Sequence, residues 1–388
     1  MKTNKKIMSI NLWYDKYSNK TDGQLKAFRN LGYETHVATV VKNQSGFSLS
    51  IINVTGINNS EKEQIESESF LNYKKIFRYL FDYCASNEYS FVYIRRLMSK
   101  LLQAAPFFKD LSKECPIVYE IPTYPLDTGN SLVYRVRDKV EMFVYKHYNR
   151  YIKLTLANVI DNVTLPKGWE VFYNAIDMDG YELSAVPPLN DTLKMLIVAN
   201  ISEYHRYDRI LDSIKKYVDT TQDMPNTKMH PNIHLTVISP ESNAYNYFKE
   251  KTSALSLNDY VTFLDKLSTS EIREVAKDCH IGIGQLSTSE KGSNLVNTLK
   301  SKDYCAMGLP FVSTCYDTSF EKDFPYIYIS KNMDSEIDLA NVIDWYKNIR
   351  KDSLYKEKMY NYAKENLQYD KFALQIIEAI TKESHICS

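Results

Sequence analysis

Short apolar runs alternate with segments of helical period along nearly the whole chain, and a proline pair breaks the alternation once, near the middle. Ile7–Leu12, Thr35–Val41, Leu49–Val54, Phe91–Arg95 and Ile117–Ile121 read as strands. Between them Leu25, Phe28 and Leu31, and then Ile76, Phe77, Leu80 and Phe81, recur at the spacing of one helix face. Apolar strands joined by helices predict a parallel sheet covered on both faces. The polar stretch Asn58–Glu68 has neither period and reads as the least structured part. After Glu182–Asn190, ELSAVPPLN, the pattern resumes with strands at Leu193–Ala199, Ile233–Ile238, Val261–Phe263, His280–Ile283 and Phe311–Thr314. Paired prolines without apolar period mark a domain boundary, and 388 residues exceed what one core serves. The expected fold class is α/β, with two Rossmann-like halves at 1–183 and 190–365. A helical tail, 366–388, is expected to pack back toward the N-terminal half.

Composition excludes several classes. Lys+Arg and Asp+Glu are equal, 48 each, so no global field attracts nucleic acid. Six cysteines show no C-x-x-C spacing and read as reduced, buried thiols. The histidines never pair at metal-ligand spacing, and no metal is expected. Met1–Trp13 lacks the apolar core of a signal peptide, and no run approaches about 18 apolar residues. We therefore expect a soluble protein of the cytoplasm. There is no G-x-G-x-x-G after the first strand, no Walker loop and no G-x-S-x-G.

In parallel α/β sheets ligands gather at the carboxyl ends of strands, and polar residues cluster there. Glu120–Asp127, EIPTYPLD, would turn Glu120, Thr123, Tyr124 and Asp127 toward such an end, unless it is an ordinary proline-rich turn. Asn200, His205 and Arg206 follow the Leu193–Ala199 strand; Lys291, Ser293 and Asn294 follow His280–Ile283. The segment from Lys291 to Thr314 reads as a polar loop, a helix over Asn297–Met307, a left-handed stop at Gly308, and a short strand after Pro310. Lys300 and Asp303 stand three apart on this helix. They suit either a plain surface ion pair or a diphosphate and a ribose met at a helix start. The long helix Leu132–Tyr151 carries Arg135, Arg137, Lys139, Lys146 and Arg150 among aromatic residues; it reads as a solvated face or as a surface for anionic lipid.

The stretches ANISEYHRYDRI, SNLVNTLKSKDYCAMGLPFVS, YEIPTYPLD and YNAID, in the chain's own arrangement, resemble bacterial GT-B-fold glycosyltransferases. The resemblance is to the retaining "group 1" (family 4) set of surface-polysaccharide clusters, over roughly residues 6–350. It implies two Rossmann-like domains facing each other across a cleft, with a nucleotide-sugar donor bound mainly by the C-terminal half and the acceptor by the N-terminal half. The family's diphosphate-gripping Arg and Lys fall on Asn200 and His205, and Arg206 stands where glycine is usual. Of its two glutamates seven residues apart, the ribose-binding one falls on Asp303 and the other on Leu295.

The resemblance implies transfer of a sugar, with retention and without metal, from a UDP- or GDP-linked donor to a glycan, lipid-linked or protein acceptor. No cofactor is expected beyond this co-substrate, no nucleic acid is a partner, and a peripheral contact with the inner face of the membrane is expected. Glu120, His205 and Lys300 are the catalytic candidates. Asn200, His205, Arg206, Lys291, Ser293, Asn294, Lys300 and Asp303 are the donor candidates, and Glu120, Thr123 and Tyr124 the acceptor candidates. Leu295 and Asn200 favour an alternative, a catalytically silent GT-B module that binds a glycan or a partner transferase. An epimerase or phosphorylase ranks third, since the cleft histidines and the cofactor-lysine context they need are not found.

Overall fold

A computed structural model describes residues 5–12, 14–54, 62–126, 132–159, 164–221, 230–287, 295–330 and 336–381. They form two compact units. One is built from the chain up to Tyr173 together with the part from Tyr369 onward; the other runs from Asn174 to Gln368.

The first unit opens with β1 (Lys6–Ile10), α1 (Tyr14–Asn30), β2 (Glu34–Asn43), β3 (Gly46–Val54), β4 (Lys62–Phe70) and α2 (Tyr73–Asn87). It continues with β5 (Phe91–Arg95), α3 (Ala105–Glu114), β6 (Ile117–Tyr124), α4 (Leu132–Tyr148), β7 (Leu154–Val159) and β8 (Trp169–Val171). The sheet order is β4-β3-β2-β1-β5-β6-β7-β8. Strands from β2 through β8 across β1 are parallel, as their apolar runs demand: β1 and β5 are buried along almost their whole length, and β6 from Ile117 to Ile121.

The other edge differs from expectation. β3 pairs antiparallel with both β2 and β4, and residues 62–68 of the polar stretch lie in the strand β4. β4, KEQIESESF, has no apolar period because it is an edge; backbone pairing to β3 holds it while Glu63 and Glu68 face water. The helix Tyr369–Thr381 belongs to this unit, where Phe372 meets the rings of Phe28, Tyr93 and Phe172 at 6.3, 6.0 and 5.8 Å.

The second unit holds β9 (Thr192–Val198), α5 (Asp208–Thr221), β10 (Asn232–Ile238), α6 (Asn243–Ala254), β11 (Val261–Leu264), α7 (Thr269–Lys277) and β12 (Ile281–Ile283). There follow β13 (Leu295–Val296), α8 (Leu299–Ala306), β14 (Phe311–Ser313), β15 (Tyr316–Asp317), β16 (Ile327–Ile329), α9 (Leu339–Ile349) and α10 (Tyr355–Asn366). Its main sheet, β11-β10-β9-β12-β14-β16, is wholly parallel. A capping box, legible as S-x-x-E at Ser268–Glu271, opens α7: the Ser268 side chain accepts from the Glu271 N–H, and the Glu271 carboxylate accepts from the Ser268 N–H at 2.7 Å. The chain enters this unit at Asn174, upstream of the proline pair; Tyr181 and Leu189 are already buried in its core. Cys84, Cys115, Cys279, Cys305 and Cys315 are free and buried.

Candidate functional site

The strand order of the second unit reverses between β9 and β12, since β10 and β11 lie on one side of β9 and β14 and β16 on the other. Connections leaving such a pair in opposite directions open a crevice at its carboxyl end. Two loops brace that crevice. The Leu286 N–H donates to the carbonyl of His205 at 3.1 Å, and the buried Arg209 guanidinium donates to the Leu286 carbonyl at 2.9 Å.

Helix α8 is positioned from below by Tyr304. Its hydroxyl accepts from the Val198 N–H at 3.1 Å and lies 3.2 Å from the carbonyls of Leu196 and Ile283, tying the helix to β9 and β12. Gly282 makes room, because a Cβ there would lie 2.8 Å from the Tyr304 ring. The helix begins at Thr298, whose side chain accepts from the Ser301 N–H, and stops at Gly308, left-handed at φ 63°.

Lys300, in the first turn of α8, meets the turn after β9. Its ammonium donates to the Tyr207 hydroxyl at 2.6 Å and stands 5.0 Å from that ring's centre. The His205 ring stacks on the other partner of this contact, Tyr207, at 5.3 Å. Among the described residues no carboxylate pairs with Lys300. Burial pushes its pKa down to about 7. Burial also lowers His205, to about 3, with the Lys300 charge adding to the effect, so its imidazole is neutral. His205 Nδ1 is 3.0 Å from the Ser202 hydroxyl. Arg206 adopts the left-handed conformation, φ 53°, which explains glycine's fitness for this position; its Nε lies 3.4 Å from Asp208.

Asp303 points elsewhere. It accepts from the Tyr181 hydroxyl, and Arg273 covers the Tyr181 ring at 4.0 Å. Burial raises the Asp303 pKa to about 6, against the opposing pull of Tyr181 and Arg273. Lys300 and Asp303 therefore do not form the surface ion pair that their spacing allowed. The buried ion pair of this region is Lys302, fully enclosed and bonded to Asn297 at 2.8 Å and to Asp317 at 3.5 Å. Asn200 is exposed at the end of β9. Leu295 lies in β13, paired with Tyr316 of β15. Lys291, Ser293 and Asn294 lie outside the described residues, as does Asp127.

In the first unit Glu120 is wholly buried. Tyr93 donates to it at 2.6 Å, Arg95 at 2.8 Å and Lys20 at 3.1 Å. Burial alone would raise its pKa; Arg95, Lys20 and Tyr93 overcome this and hold it at about 2. Its carboxylate is thus spent inside the unit, not turned toward solvent. Thr123 and Tyr124 are half-buried, with the Tyr124 ring edge-on to Trp169 at 5.1 Å.

Sequence reasoning missed Tyr207, Tyr181, Arg273 and Lys302. The adjacency of Tyr207 to Arg206 was the one available signal; the others act through contacts distant in sequence. Among the described residues no group of His, Cys, Asp and Glu could hold a metal ion.

No protein-family model and no curated protein matches the chain. Solved structures do. The chain is similar to the catalytic domain of starch synthase IV from Arabidopsis thaliana, bound to ADP and acarbose, at TM-score 0.61 and 10% identity, over 97% of this chain and 98% of that one. Sucrose-phosphate synthase from Thermosynechococcus elongatus matches at TM-score 0.58 and 12% identity, over 96% and 98%. WaaG, a glycosyltransferase involved in lipopolysaccharide biosynthesis, matches at TM-score 0.55 and 12% identity, over 97% and 100%. The fold is GT-B, as the sequence motifs implied.

Proposed function

We propose that the chain is a glycosyltransferase that moves a sugar from a UDP- or GDP-linked donor to a glycan, lipid-linked or protein acceptor. The expected setting is surface polysaccharide or glycoconjugate synthesis in the cytoplasm, with retention and without metal. One observation carries the reading: at the switch point of the parallel sheet, a lysine ammonium at a helix start has a phenol for its partner and no carboxylate among the described residues. Such a charge suits a diphosphate. As the glycosidic bond breaks, negative charge grows on the leaving phosphate. The Lys300 ammonium and the N–H groups opening α8 stabilise that charge, which lowers the barrier. Neutral His205 contributes a hydrogen bond rather than a charge. In this reading Arg206 adds the second cation, Asp303 accepts from the ribose, and Asn200, Lys291, Ser293 and Asn294 complete the donor contacts. Starch synthase IV, bound to ADP and acarbose, agrees with a nucleoside diphosphate at such a site, and WaaG, from lipopolysaccharide biosynthesis, agrees with the setting.

Calorimetric titration with UDP, GDP, CMP and their common sugars tests this, with Asp303→Ala as control. Micromolar binding of one diphosphate, weakened by the substitution, is expected. No binding to any of them by folded protein would instead favour the silent module, for which the apolar Leu295 speaks.

A further inference from the structure

We propose that the second unit binds a neutral sugar ring in a cavity between the turn after β9 and the start of α6. The cavity measures about 400 Å³, within the roughly 300–1,000 Å³ of small-molecule sites. Both of its sides are fixed by local bonding. In the turn, the Arg206 N–H donates to the Glu203 carbonyl at 3.1 Å. At the helix start, the Ser242 side chain accepts from the Tyr245 N–H at 3.1 Å, and its hydroxyl donates to the Ile201 carbonyl at 3.5 Å.

The lining combines apolar rings with free polar groups. Tyr207 and Phe248 line the cavity and are 2% and 3% exposed, whereas Tyr247, on the same lining, is 60% exposed. Glu203 and Asn243 also line it. Among the described residues, neither of their side chains has a hydrogen-bond or ion-pair partner. Arg206 and Asp208 complete the charged lining and meet each other at 3.4 Å.

This chemistry selects the ligand. The apolar face of a sugar ring covers Tyr247, while its hydroxyls donate to the Glu203 carboxylate and accept from the Asn243 amide. Glu203 is the one charge of the lining without a counter-ion among the described residues, so a phosphate or another anion is repelled. Lys300 and His205 do not line the cavity, and the acceptor candidates Glu120, Thr123 and Tyr124 belong to the first unit. The inference therefore does not rest on the donor reading.

The full chain, without nucleotide, is titrated with glucose, galactose and N-acetylglucosamine and followed by saturation-transfer NMR. Saturable binding of at least one sugar is expected. Tyr247→Ala should weaken it by roughly three- to tenfold, the range of one aromatic ring contact, and Glu203→Ala or Asn243→Ala several-fold. Tyr173→Ala, at a position 48% exposed in the first unit, should leave it unchanged. All four positions are exposed, and circular dichroism confirms that each variant folds. Absence of saturable binding by the folded parent, or a Tyr247→Ala variant that binds like the parent, would overturn the proposal. So would binding of uridine or guanosine that Tyr247→Ala abolishes, since the cavity would then take a base. A failed diphosphate titration would remove the donor reading and leave this one standing.

Discussion

The Lys300 ammonium is held by the Tyr207 hydroxyl at 2.6 Å and lies 5.0 Å from the centre of the same ring. A phenol neutralises none of its charge, and burial has already brought its pKa down to about 7. In the proposed reading, an arriving phosphate would supply the counter-charge that the described residues do not provide.

Diphosphate affinity should consequently depend on pH with a defined sign. Anion binding favours protonated Lys300, so the free protein takes up a proton on binding near and above pH 7. Affinity should fall as pH rises through about 7. Titration calorimetry in buffers of different ionisation enthalpy measures the uptake. Lys300→Ala should abolish it and weaken binding by roughly ten- to a hundredfold, the range of a charged hydrogen bond.

Arg206 pays for its cation with backbone strain, since left-handed φ costs a non-glycine residue about 1–2 kcal/mol. Arg206→Gly relieves this, offset by the greater freedom of glycine in the unfolded chain. Thermal unfolding should show no loss of stability, while diphosphate affinity falls. Equal affinity in the variant would remove Arg206 from the site.

Asp303 predicts a slope in stability. Its folded pKa, about 6, stands above the ordinary 3.8, so its protonated form favours folding. That contribution is present in full below about pH 4 and is lost as pH rises toward 6. Urea unfolding across this window should show a flatter profile for Asp303→Asn than for the parent.

Glu120 behaves in the opposite sense. Its folded pKa of about 2 lies below the ordinary 4.5, so its contribution holds above pH 4.5 and is lost as pH falls toward 2. Glu120→Gln leaves Arg95 and Lys20 without their carboxylate, and should cost about 3–5 kcal/mol in urea unfolding at neutral pH. A variant as stable as the parent would mean that this cluster does not hold the unit together.

Much of the fold was legible because it is written in local periods. The buried strands β1, β5, β6 and β9, the capping box at Ser268 and the stop at Gly308 each follow from residues a few positions apart. β4 was not legible: an edge strand solvated on its polar side chains carries no apolar signal, and its pairing with β3 is decided by the backbone.

The site divides in the same way. The chain alone determined that polar residues would follow β9 and open α8, because short connections must leave the strands there. Which of them is free to meet a ligand was decided only by tertiary contacts: Tyr207 for Lys300, Tyr181 for Asp303, and Arg95, Lys20 and Tyr93 for Glu120. A charged side chain's role depends on what neutralises it and how deeply it is buried. Both are set by residues up to 122 positions away in sequence, across distances that no local pattern spans.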